Sequence, residues 1–75
     1  IRFLRNIIIA SGNSKNKLLI EDLLLHLKNE HSVIRGATVW ALFQLGDERF
    51  KIELKKKILS NEKNKYVLFE LKVAS

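Results

Sequence analysis

Apolar positions recur at three- and four-residue steps along most of the chain and restart after short polar breaks, which predicts an all-helical protein. The densest stretch is Ser32 to Gly46, S-V-I-R-G-A-T-V-W-A-L-F-Q-L-G. Ile34, Ala37, Ala41 and Leu45 form its main stripe, and Val33, Thr38 and Leu42 widen it, so this helix is expected to be covered on more than one side. Ala37 and Ala41 are small enough to let a neighbouring backbone approach closely. Ser32 reads as the N-cap, because its hydroxyl can accept a bond from a first-turn N–H. Gly46 follows the last apolar position, where a left-handed C-cap residue costs least.

The other segments fall on either side of this one. Ile1 to Gly12 predicts a first helix with Phe3, Leu4, Ile7, Ile8 and Ser11 facing inward. Ile9 and Ala10 leave little polar surface beyond Arg2, Arg5 and Asn6. Gly12-Asn13-Ser14-Lys15-Asn16 reads as a turn in which Gly12 ends one helix and Asn16 caps the next. Lys17 to Asn29 predicts a second helix with Ile20, Leu23, Leu24 and Leu27 as its stripe, extended by Leu18, Leu19 and Leu25. Glu21 and Asp22 stand near its positive end and Lys28 near its negative end. Asp47 is expected to cap a fourth helix to about Leu59, with Phe50, Leu54 and Ile58 inward and Glu53 four residues before Lys57. Tyr66-Val67-Leu68-Phe69 has strong β propensity. Lys65 to Val73 is nevertheless read as a helix, because of what a repeat in the chain implies.

That repeat has a period near thirty residues. Phe3-Leu4-Arg5 returns as Val33-Ile34-Arg35. Leu27, Asn29 and Glu30 return as Leu59, Asn61 and Glu62, and Leu18 and Ile20 as Phe50 and Ile52. Two helices per unit at this period predict an α-solenoid of about two helix pairs plus a partial third, in one domain over residues 1–75.

The chain has 75 residues, no cysteine, and 14 Lys and Arg against 8 Asp and Glu, a formal charge of +6. Without cysteine it can form neither disulfides nor thiolate metal sites, and this composition fits a reducing cytoplasm. No apolar run is long enough to span a bilayer, so no membrane partner is expected. The basic balance favours polyanions, nucleic acid before anionic membrane, although solubility alone also explains a basic small domain. An opening Ile1 in place of Met is expected of a fragment of a longer protein.

V-I-R-G-A-T-V-W-A-L resembles the first helix of a HEAT-like repeat. Together with R-F-L-R-N-I-I-I-A-S-G-N-S, Arg2 to Ser14, it resembles the C-terminal HEAT-like region of epoxyqueuosine reductase, over Arg2 to about Phe50. Those enzymes complete queuosine synthesis in tRNA, using cobalamin and 4Fe-4S clusters. The resemblance implies that this stretch is a tRNA-facing accessory part. It would carry no catalytic, cofactor-binding or metal-binding residue, and the cobalamin and clusters would sit in catalytic domains of the same parent chain.

On that basis Arg2, Arg5, Asn6, Asn13, Lys15, Lys17 and Arg35 are the candidate RNA contacts, through phosphate and sugar rather than base edges. Asn13, Lys15 and Lys17 stand at a helix start, where side chains and free N–H groups can meet an anion. Ordinary turn chemistry explains Asn13 equally well. Arg5 and Arg35 have a second reading, in which they bond backbone carbonyls or acidic caps between stacked repeats; this is the favoured one for Arg35. Lys55-Lys56-Lys57 reads as a solvated face, and Trp40, Tyr66 and Phe69 as packing residues. His26 and His31 are five apart and share no helix face, and neither has an acidic orienter. The alternative function is a HEAT-like protein–protein scaffold. An apolar patch around Leu18, Leu19 and Leu25 would favour it.

Overall fold

The computed structural model describes residues 1–75 and is helical throughout, with no strand. Helix α1 spans Arg2–Asn13, α2 Ile20–Leu25, α3 Ser32–Leu45, α4 Glu48–Asn61 and α5 Lys65–Ala74. Single 3₁₀ turns, Lys17–Leu19 and His26–Lys28, flank α2, so the expected second helix is one α-segment between two tighter turns. No helix is long and apolar enough to cross a membrane. The Cα radius of gyration, 11.0 Å, is what a close-packed chain of this length has.

Helix α3 is the centre of the packing. Nine of its fourteen residues are buried, from Ile34 to Leu45. Its closest neighbours are α1 on one side and α5 on the other, with α2 and the following turn against it as well. Leu23 of α2 and Leu54 and Ile58 of α4 complete the same core, as their spacing predicts. Val67 and Leu71 bring α5 into it. The β propensity of Tyr66 to Phe69 is overridden, because a four-step pair of apolar residues on a capped helix can bury against α3 and an isolated strand would have no partner for its ladder. The one buried polar side chain, Thr38, donates to the Ile34 carbonyl at 2.7 Å.

Two glycines let the flanking helices come close. Gly12 is buried inside α1 and does not end it. A Cβ there would lie 2.7 Å from Trp40 Cζ3 and 2.9 Å from the Ala41 Cα. The small Ala41 anticipated this approach, and its counterpart is Gly12. Gly36 does the same for α5, since a Cβ would meet the Tyr66 ring at 2.6 Å.

Several local expectations are corrected. Phe3 is 79% exposed and Ile7 is exposed too, because α1 has one principal neighbour and only the Leu4–Ile8–Gly12 face can turn to it. Ser32 is the first residue of α3 and not its cap. The cap position is His31, whose N–H is held by Asn29 Oδ1 at 2.8 Å. Gly46 has φ −78° and ψ 153°, extended and not left-handed, and its missing Cβ makes room for the Phe50 ring. The left-handed residue is Lys15, at φ 60°. Glu53 pairs with Lys56 at 3.7 Å and not with Lys57. The caps at Asn16 and Asp47 form as expected, accepting from the Leu18 and Phe50 N–H groups. Asn64 adds a third, accepting from Tyr66 and Val67.

Candidate nucleic-acid interface

The predicted RNA contacts divide into three places. Arg2, Arg5 and Asn6 stand at the start of α1, and Asn13, Lys15 and Lys17 at and beyond its end. A twelve-residue helix is about 18 Å long, over which one strand of a duplex presents about five phosphates. The two groups could therefore meet one backbone, but they cannot meet one phosphate. Arg2, Asn6, Asn13, Lys15 and Lys17 are exposed. Arg5 is half-buried and forms no side-chain hydrogen bond. It lines a shallow groove of about 240 Å³ with Ile9, Ala37, Trp40, Tyr66 and Glu70. The Glu70 carboxylate in the same groove works against an anion there.

The helix start after Asn16 is a weaker anion site than its sequence suggests. It is a single 3₁₀ turn, and Asn16 already takes the Leu18 N–H. Ser14 holds the turn by accepting from the Asn16 N–H and donating to the Ser11 carbonyl. What remains for a ligand are the lysines, with Lys15 turned by its left-handed backbone.

Arg35 has a different place. Its Nε donates to Glu62 Oε1 at 2.8 Å and its Nη2 to Oε2 at 3.1 Å, a two-pronged ion pair. Nη1 donates to the Asn29 and Glu30 carbonyls at 2.8 and 3.2 Å. The two side chains are only 19% and 12% exposed. The hydrogen bonds from Arg35 hold the Glu62 carboxyl below its ordinary value, against the opposing effect of burial, and Glu62 in turn raises the guanidinium. Arg35 thus bonds backbone carbonyls and an acidic residue within the chain, the second of its two readings. Each of its three nitrogens donates within the chain, so a phosphate at Arg35 would compete with these partners.

This clamp lines a cleft of about 920 Å³ between the α2–α3 and α4–α5 connections. Leu24, Leu27, Val39 and Ile58 supply its apolar wall, and Lys28, Lys57 and Lys63 its exposed cations. Sequence reasoning did not assemble it. Its one signal was the recurrence of Asn29-Glu30 as Asn61-Glu62, which places two similar connections at one end of the fold. The second copy of the acid, Glu62, is the one that Arg35 selects.

Eleven of the fourteen Lys and Arg residues have no carboxylate within ion-pair distance; Arg35, Lys51 and Lys56 are the paired ones. Leu18 and Leu25 are 87% and 74% exposed, while Leu19 is partly buried. Comparison with family models, with curated proteins and with solved structures gives no match for this chain.

Proposed function

We propose that this domain is a non-catalytic RNA-contacting module, a HEAT-like α-solenoid of two helix pairs and the opening helix of a third. It would be the tRNA-facing accessory part of an epoxyqueuosine reductase, working beside catalytic domains that hold the cobalamin and iron–sulfur clusters. The observation that carries RNA contact is the excess of unpaired cations on a domain in which four of the eight acids, Asp47, Glu48, Glu53 and Glu62, are already engaged in a cap or ion pairs. The tRNA identity comes from the resemblance of Arg2 to Ser14 and of Val33 to Leu42. Stacking of α1, α3 and α5 in one row, with α2 against α3, is compatible with the solenoid. Contact would run along α1, from Arg2 to Lys15 and Lys17.

The test is tRNA binding against salt. Arg2, Lys15 and Lys17 each neutralising one phosphate give a log–log slope of about −2 to −3, at 0.7–0.9 per contact. Lys15→Ala and Lys17→Ala should each flatten it by about one unit and weaken all tRNAs alike, because phosphates carry no sequence. A slope near zero refutes the reading. Exposed Leu18 and Leu25 favour a second one, a scaffold for an acidic peptide or a sister domain. Under it Leu18→Asp/Leu25→Asp abolishes partner binding, and the wild-type domain itself does not bind tRNA.

A further inference from the structure

We propose that the cleft between the α2–α3 and α4–α5 connections binds linked phosphates, with Lys28, Lys57 and Lys63 as counter-charges. The site is separate from the α1 contacts. If the RNA reading above holds, the ligand is a phosphodiester strand; a free polyphosphate has the same chemistry.

The charge balance in the cleft makes the case. Of its two acids, Glu62 is consumed by Arg35 and by the Asn64 N–H at 3.0 Å. Glu30 stands at the solvent edge of the lining, 87% exposed and 3.7 Å from His31 Nε2, and is outnumbered by the three lysines. The three lysines have no carboxylate partner, and they come from three different segments: the turn after α2, α4, and the α4–α5 connection. They surround the cleft and do not follow one helix face, which distinguishes them from a solvated lysine run.

The amides add donors to the same wall. Asn29 Oδ1 is fixed as an acceptor by the His31 N–H, and Asn64 Oδ1 by the Tyr66 and Val67 N–H groups. With each oxygen engaged, the NH₂ group of each side chain is oriented and has no acceptor within the chain. Three cations and two oriented amide donors around a concave wall suit a ligand rich in acceptor oxygens. The Arg35–Glu62 pair beneath them holds both connections in position.

The experiment is an amide-resolved NMR titration of the whole chain with a short single-stranded RNA and, separately, with tripolyphosphate. Both should shift the amides of residues 28–30 and 61–64. Lys28→Ala/Lys57→Ala/Lys63→Ala should weaken each ligand about tenfold or more at low salt. It should also flatten the RNA salt slope by about two units, at 0.7 for each of three contacts. All three lysines are exposed, so the melting temperature should hold within a few degrees; Lys63→Glu alone serves if the triple variant does not fold. Affinities unchanged within twofold, or shifts confined to other regions, overturn the cleft. RNA binding that responds only to Lys15→Ala/Lys17→Ala keeps the RNA reading and removes the cleft. Tripolyphosphate in the cleft with no RNA binding keeps the cleft and removes the RNA reading. No binding of either ligand removes both.

Discussion

Replacing Glu62 with Gln keeps its shape and removes its charge, and it isolates the energy of the clamp. Hydrogen bonds to charged groups contribute about 1.5–3 kcal/mol each where they are shielded. Breaking a fully buried ion pair costs about 3–5 kcal/mol. The pair here is 19% and 12% exposed, and Arg35 keeps its two carbonyl acceptors when the carboxylate goes. A loss of about 2 kcal/mol is therefore expected, which for a domain of this size lowers Tm by about 8–16 °C. Arg35→Met should cost more, about 3 kcal/mol, because it also frees the Asn29 and Glu30 carbonyls. In a double-mutant cycle the two should couple by about 1–2 kcal/mol. The pH dependence has a definite sign. The folded carboxyl lies below its ordinary 4.5, so the unfolded chain binds the proton more readily. The contribution of Glu62 is complete above about pH 5 and is lost as pH falls through 4.5 and then through the lower folded value. Thermal melts of wild type and Glu62→Gln from pH 3 to 7 should converge at the acid end. A coupling below about 0.5 kcal/mol, or a Tm difference independent of pH, refutes the account.

Two further perturbations test the packing and the caps. Gly12→Ala should destabilise by about 1–3 kcal/mol, since its Cβ meets the Ala41 backbone as well as Trp40. Gly36→Ala should be near neutral, because the half-exposed Tyr66 ring can turn aside and alanine gains up to about 1 kcal/mol of helix propensity; equal costs at the two sites, by urea unfolding, would contradict this. Asn64→Ala should cost about 1 kcal/mol and fray α5 first, seen as faster amide exchange at Tyr66 and Val67 than in α3.

What could be read from the residues was what is local. Asn16 and Asp47 cap their helices because the acceptor and its N–H lie within three positions. Leu23, Leu54 and Ile58 turn inward because a regular stripe needs only one partner surface. Phe3 and Ile7 look identical to Leu4 and Ile8 in sequence, and only the number of neighbours around α1 separates them. Gly12 before Asn13-Ser14 has the composition of a helix end, and its role inside α1 depends on Trp40 and Ala41, 28 and 29 positions away. Arg35 could be read as a bonding residue but not assigned its acid, which lies 27 positions on. The cleft was illegible for the same reason, as its lysines come together only once both connections are placed.

Because α1 and α5 both rest on α3, the hierarchy of opening is built into the arrangement. Either end helix can lift away while the other stays docked, and neither can stay if α3 unravels. Hydrogen exchange should therefore report two partial openings below the global one, with the amides of Val39 to Leu42 exchanging last. Refolding should run outward from the middle of the chain, since α3 must present its surface before either terminus has anything to dock on. A ligand that touches α1 alone would slow only the first of these openings, whereas one held across the two connections would slow the release of α5.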